Sequence, residues 1–398
     1  MVIVNKILRQ LKKTVTRLAA LPQILRISLL IFRARSGKQP VIMMEITTPH
    51  DILCILGVVQ KMYERNALIV YSSKESLKKN FLEQLQREFP GSPKLWIGVA
   101  WTNWLPRIDF YINTTLNYDI HVPARARYKI NFPHTITSKT KYDVFSPALE
   151  KISDTIITGP VYERDLLTYC KDYNIKKIPR IHRLGGPKSD KLFEKSVNTK
   201  EFLKSLHLDP ALPTAFYGPT YNQNASIFNW LDSILEIPEK HNINLIIKVH
   251  PGAYMDPTNK KSSGGINWKE FFEKDNLRKK RIYNVIEQDS AEFIMASDIG
   301  IGDISTLWIE YYYLRKFIIF LDIPEFFKDH EMNSLGDFRE KYGYLAKTPA
   351  DLDRLVGGMI SGSVPKKQIY DIDDKLLYNK GCATKVVFDK LEELYEAE

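Results

Sequence analysis

From Gln39 onward, short apolar runs alternate with stretches of helical period. Val41–Ile46, Ala67–Tyr71, Leu95–Val99, Ile108–Ile112, Tyr128–Phe132 and Thr155–Ile157 predict strands, and Asp51–Arg65, Glu75–Phe89 and Tyr162–Tyr173 predict helices. Pro179–Ser196, rich in Gly, Pro, Lys and Ser, reads as a linker. A second alternation follows. Strands are predicted at Thr214–Tyr217, Asn244–Val249, Ile282–Ile286, Ile299–Ile301 and Phe317–Asp322. Helices are predicted at Ala225–Leu235, Trp268–Lys274, Ala291–Ala296, Thr306–Arg315 and Thr384–Tyr395. Strand–helix alternation of this kind predicts an α/β fold with mostly parallel sheets covered on both faces. The expected architecture is two Rossmann-like domains facing a cleft, over residues 39–183 and 184–398, with the last helix free to pack on either.

Ahead of them, residues 1–38 carry a different pattern. At 100° per residue, Val4, Ile7, Leu8, Leu11, Val15 and Leu18 fall on one side, opposite Lys6, Arg9, Lys12, Lys13 and Arg17. Pro22 is expected to end or kink this basic amphipathic helix. A second apolar stretch, Ile24–Phe32, has an uncharged run only from Ile27 to Phe32, far below the ~20 residues of a membrane span. No small-residue cleavage site follows it. Three readings compete for this front end: an interfacial helix on anionic lipid, a helix packed on the protein's own body, and an RNA-binding arm. The lack of interleaved aromatics counts against the last.

Charge sharpens that choice. The 398 residues carry a formal charge of +10, yet residues 1–44 hold nine bases and no acid. The remaining 354 residues hold 48 bases against 47 acids, so the body lacks the charge of a nucleic-acid binder. A content of 44% hydrophobic and 26% charged residues excludes wholesale disorder, collagen and a coiled-coil rod. Three dispersed cysteines, Cys54, Cys170 and Cys382, exclude a disulfide scaffold and a zinc knuckle.

Ligands of open parallel sheets sit beyond the carboxyl ends of the strands. No P-loop, no complete G-x-G-x-x-G after a strand and no G-x-S-x-G elbow is present, so kinase, dinucleotide oxidoreductase and α/β-hydrolase readings lack their motifs. Four strand ends carry polar clusters: Gly218-Pro219-Thr220, His250-Pro251-Gly252, Gly302-Asp303-Ile304-Ser305-Thr306, and Pro133-His134-Thr135. Ser305 and Thr306 open a helix, where hydroxyls and unpaired N–H groups can receive phosphate oxygens, although a simple helix cap would read the same. Glu310, one turn on, is placed to reach ribose hydroxyls. His250 ends an apolar strand and reads equally as a hydrogen-bonded core histidine. Lys129 and Lys139 add positive charge near His134.

The ordered set Gly218-Pro219-Thr220, Lys248-Val249-His250-Pro251, Ser297-Asp298 and Asp303-Ile304-Ser305-Thr306 with Glu310 resembles the CDP-glycerol glycerophosphotransferase family of teichoic-acid primases and polymerases. Arg315-Lys316-Phe317 to Phe320, Asp322-Ile323-Pro324-Glu325, Gly186-Pro187-Lys188-Ser189-Asp190 and Gly381-Cys382-Ala383-Thr384 resemble further family elements. The likeness runs from Leu184 to Leu394. In the first domain, Phe132-Pro133-His134-Thr135-Ile136-Thr137-Ser138-Lys139 resembles the acceptor-side H-G-[ST]-x-x-K turn, with Thr135 where Gly is usual. Ile304 and Thr306 likewise replace the Tyr and second Ser of the family's T-D-Y-S-S.

The resemblance implies a GT-B arrangement and a membrane-peripheral enzyme on the cytoplasmic face. It would move a polyol phosphate from a CDP-linked donor to a hydroxyl of a lipid-linked acceptor, releasing CMP. His134 would be the general base, with Lys139 beside it on the acceptor side, and His250 would sit on the pyrophosphate. Gly218, Pro219, Thr220, Lys248, Asp303, Ser305 and Thr306 would surround the donor, with Glu310 on its ribose. Without a D-x-D pair at a strand end, the sequence requires no metal and no further cofactor. Two alternatives stay open at this point: a glycosyltransferase using a CMP- or UDP-sugar, and a non-catalytic membrane-bound scaffold of a polysaccharide assembly complex.

Overall fold

The computed structural model describes residues 20–48, 50–116, 120–133, 145–193, 198–221, 223–254, 258, 263–274, 280–285, 289–305, 307–329, 338–367 and 376–397. Two all-parallel sheets organise them. The first contains β1 (Val41–Glu45), β2 (Leu68–Ser73), β3 (Leu95–Gly98), β4 (Ile108–Asn113), β5 (Ala126–Asn131), β6 (Asp154–Ile156) and β7 (Arg180–His182), in the order β3-β2-β1-β4-β5-β6-β7. The second contains β8 (Thr214–Tyr217), β9 (Asn244–Ile247), β10 (Ile282–Asn284), β11 (Ile299–Gly302), β12 (Phe317–Leu321) and β13 (Tyr344–Ala346), in the order β10-β9-β8-β11-β12-β13. Chain direction across the sheet reverses between β1 and β4 and between β8 and β11, so each domain has one topological switch point.

Alternate residues of one strand feed opposite cores, as a sheet buried on both faces demands. Leu245 and Ile247 of β9 join the cluster around Trp230 and Trp268, while Ile246 between them joins the cluster around Phe216 and Tyr312. Ile42 and Met44 of β1 likewise face away from Val41 and Met43.

Several elements depart from the sequence pattern for identifiable reasons. Asp51–Arg65 is two helices, His50–Cys54 and Leu56–Glu64, broken where Ile55 leaves helical geometry (φ −129°, ψ 18°) and turns into the core. The Pro179–Ser196 stretch is more than a linker: it contains edge strand β7 and the 3-10 helix Pro187–Phe193. The helix begun near Ala225 passes through Pro238 to His241, since a proline in the last turn removes few intrahelical bonds; Asn242 ends it in the left-handed region (φ 53°). The closing helix, Ala383–Glu396, packs on the first domain: Val387, Leu391 and Leu394 enter the cluster of Ile42 and Phe110. Burying each such side chain contributes roughly 1.5–3 kcal/mol. Arg65 pairs with Glu392 of that helix at 2.7 Å.

A helix over residues 20–36, with Pro22 in its first described turn, covers one face of the first sheet. Ile24, Ile27, Ile31 and Ala34, at helical spacing, are buried in the cluster of Val41, Met43 and Tyr111, and this seated face holds the segment helical. Leu21, Leu25, Leu29 and Phe32 lie on the exposed side, with relative exposures of 36, 61, 69 and 59%. Arg26, Arg33 and Arg35 are exposed with them. The basic helix read over Val4–Leu18 falls outside the described residues. Among the described residues, no helix is long and apolar enough to cross a membrane.

Candidate donor site at the second switch point

The strands that flank the second switch point end in Tyr217 and Gly302. The loops after them are joined by one carboxylate. Asp303 Oδ1 accepts from the backbone N–H of Thr220 (2.9 Å), Ile304 (2.6 Å) and Ser305 (3.3 Å). Its Oδ2 accepts from the N–H (3.0 Å) and hydroxyl (2.8 Å) of Ser226, at the start of the helix Ser226–His241. Asp303 is 1% exposed, so these bonds replace its lost hydration. Its carboxylate shapes both loops from within. Ser226 Oγ also meets the Tyr217 hydroxyl at 2.8 Å, and burial, reinforced by the nearby Asp303, pushes that phenol well above its ordinary range.

Close backbone approach completes the shape. A Cβ on Gly300 would fall 2.9 Å from the Tyr311 ring, and one on Gly218 would meet Phe216 and Leu307 at 2.8 and 2.9 Å. The helix Leu307–Tyr313 therefore presses directly onto β11, and an apolar pocket lined by Phe216, Trp308, Tyr311 and Phe320 lies against Gly218, Asp303 and Ser305.

The structure brings most of the sequence-selected donor residues to this edge. Gly218, Pro219 and Thr220 are buried directly after β8. Lys248, buried, directly follows β9, its N–H bonded to the carbonyl of Tyr217 at 2.9 Å. His250, partly exposed, stacks on Tyr221 with ring centroids 4.1 Å apart and planes at 24°. Ser305 is 6% exposed, and Glu310 sits in the helix that follows it. Glu310 is ion-paired with Lys188 (Nζ–Oε1 3.2 Å). Thr306 falls outside the described residues.

His134 and Lys139 also fall outside them; the described chain leads to that stretch from β5 through buried Phe132. The first switch point has its own joining carboxylate. Asp51 accepts from the N–H groups of Thr47 (2.6 Å) and Thr48 (2.7 Å), from both their hydroxyls, and from Thr115 Oγ1 (3.3 Å) in the loop after β4. Across the same point the Tyr111 hydroxyl donates to buried Glu45. Sequence reasoning did not select Asp51, Tyr221, Ser226 or Gly300. The only cues were the Gly300-Ile301-Gly302 spacing and an aromatic directly after Thr220. Among the described residues, no three His, Cys, Asp or Glu side chains converge to hold a metal ion.

Two parallel-sheet domains, each with its switch point, define a GT-B-like architecture. Residues 151–330 match the family model described as CDP-Glycerol:Poly(glycerophosphate) glycerophosphotransferase. The chain is similar in fold to the wall teichoic acid polymerase TagF, at 13% identity, with 99% of this chain and 97% of that one covered and a TM-score of 0.62. A histidine variant of TagF soaked with CDPG matches equally well, at 12% identity, 98% coverage of both chains and a TM-score of 0.62. The UDP-GlcNAc 2-epimerase of Methanocaldococcus jannaschii, in complex with UDP-GlcNAc and UDP, shares the fold at 13% identity, 88% and 99% coverage and a TM-score of 0.55. Comparison with curated proteins gives no match.

Proposed function

We propose that this protein transfers glycerol phosphate, or a related polyol phosphate, from a CDP-linked donor to a hydroxyl of a lipid-linked acceptor in teichoic-acid-like polymer synthesis. The observation that carries the reading is the family match over 151–330, which spans β8, β9 and β11 and the loops joined by Asp303. In the reaction the acceptor oxygen attacks the distal phosphorus, the bond from that phosphorus to the bridging oxygen breaks, and CMP leaves. His134 takes the acceptor proton, a role suited to an imidazole that is neutral near pH 7. His250 and Lys248 face the pyrophosphate, whose leaving oxygen gathers negative charge. Thr220, Ser305 and Thr306 supply hydroxyl and N–H donors to the phosphates, and Glu310 accepts from the ribose hydroxyls. Asp303 acts on the donor through the loops it holds.

The protein works at the cytoplasmic face of an anionic membrane, where a lipid-linked acceptor is found. The reading is supported by the exposed stripe Leu21, Leu25, Leu29 and Phe32 beside three exposed arginines, together with the basic pattern that precedes it. Removing residues 20–36 would strip Ile24, Ile27 and Ile31 from the core, so the surface is tested by point changes instead. Leu25→Glu with Leu29→Glu leaves the buried face intact and is expected to abolish flotation with phosphatidylglycerol vesicles; unchanged flotation would refute the anchor. The donor is tested by a screen of CDP-glycerol, CDP-ribitol, CMP-sugars and UDP-sugars with membranes as acceptor. Transfer from a CDP-polyol alone is expected, whereas transfer from a nucleotide sugar would overturn the assignment.

A further inference from the structure

The segment Pro187–Phe193, between the two sheets, makes three polar ties in four residues. Lys188 Nζ lies 3.2 Å from Glu310 Oε1. Asp190 accepts from the N–H groups of Ala383 (3.0 Å) and Thr384 (2.6 Å), at the head of the helix that packs on the first domain. Lys191 lies 2.7 Å from Asp289. The Lys188–Glu310 pair is largely withdrawn from solvent, with side-chain exposures of 23 and 7%. Burial works to lower the Lys188 ammonium, yet Glu310, with Asp289 beyond it, holds it above its ordinary value. Cys54 brings no competing charge, because burial pushes its thiol up to about 12.

We propose that Lys188 is a positioning residue for donor recognition: its ammonium fixes the Glu310 carboxylate on the wall of the donor site, so that a Lys188–Glu310 unit, not Glu310 alone, reads the ribose. The proposal rests on the assignment of Glu310 to the ribose. A carboxylate recognises a diol by accepting from it. One Glu310 oxygen faces Lys188, which leaves the other as an acceptor of fixed direction. Without the ammonium, a carboxylate this buried loses the partner that orients it and turns toward water, which removes that acceptor. Arginine keeps the charge and the donors; methionine keeps only the apolar stem.

The test compares dissociation constants of CDP-glycerol and its 2′-deoxy analogue for the full chain, with Lys188→Met, Lys188→Arg and Glu310→Gln variants checked for folding by circular dichroism. The unaltered protein is expected to prefer the ribose donor by about tenfold or more. Lys188→Met and Glu310→Gln should each reduce that preference to about twofold, and Lys188→Arg should retain most of it. Lys188→Gln carries the same reading should the methionine variant fail to fold. Undiminished preference in Lys188→Met, with preference lost in Glu310→Gln, overturns the positioning role and leaves the ribose assignment standing. Undiminished preference in Glu310→Gln overturns both.

Discussion

The two switch points are braced alike and edged differently. Each joins its two crossing loops through one buried aspartate, Asp51 in the first domain and Asp303 in the second, and each aspartate accepts from backbone N–H groups and hydroxyls. They differ in what surrounds the aspartate. In the second domain Gly218 and Gly300 bring strand and helix backbones together, and Ser305, Thr220 and His250 lie at the same edge. In the first domain the corresponding edge is closed by its own polar bonds: Tyr111 to Glu45, Thr155 to Asn131 and Asn113 to the carbonyl of Thr115. A nucleotide diphosphate suits the former, where N–H and hydroxyl donors converge. An acceptor that presents one hydroxyl needs less, and the family resemblance assigns that task to His134.

The predictions follow from this asymmetry. His134→Ala is expected to slow transfer by roughly 10²–10⁴-fold while leaving donor affinity unchanged; equilibrium binding alongside a transfer assay separates the two, and weakened donor binding would place His134 on the donor side. His250→Ala should lower kcat by about 10²–10³-fold, as loss of one charge-stabilising donor does. Asp303→Asn puts an amide N–H₂ among N–H donors and should cost about 3–5 kcal/mol of stability by urea unfolding, together with donor affinity. Asp51→Asn should cost less, about 1–3 kcal/mol, and spare donor affinity. Equal losses of donor affinity in the two would erase the distinction between the switch points.

A smaller contrast concerns pH. Burial works against the Asp154 carboxylate of β6, yet His182 (2.8 Å), Ser153 (2.6 Å) and Arg180 (3.0 Å) hold it below its ordinary range. A lowered carboxylate stabilises the fold above its unfolded pKa, and the contribution fades as pH falls through the folded value, below about pH 4. In the second domain, burial pulls the Lys316 ammonium down to about 8, although it donates to the carbonyls of Ile294 and Met295 at 3.0 and 2.6 Å. There the unfolded chain binds more protons, so stability rises from about pH 8 to 10.5. Melting temperature against pH should show a shallower acid limb in Asp154→Asn and a smaller alkaline rise in Lys316→Met.

Several elements of the second domain fall on the sequence pattern to the residue. Trp268–Lys274 and Ala291–Ala296 are helices with the predicted bounds, and β8 spans Thr214–Tyr217 as read. Continuous apolar runs bounded by turn residues make such elements visible. Arg180–His182 is hidden because an edge strand of three residues, two of them polar, carries no apolar period. Tyr344–Ala346 is hidden for its shortness, although the helix Pro349–Ser361 after it carries a Thr348–Asp351 capping box that a search for caps would have found. The candidate donor loops were legible because strand ends and helix starts are local features. Asp303's function as a brace was not, because its partners lie 77 and 83 residues away. The Lys188–Glu310 pair, 122 residues apart, was invisible for the same reason.

Phosphoryl transfer and glycosyl transfer differ in the nucleotide they release. The full chain, incubated with anionic membranes and CDP-glycerol carrying distinct labels on its two phosphates, should release CMP with the nucleoside-proximal label and pass the distal label to the lipid-linked product. Release of CDP retaining both labels would contradict the account.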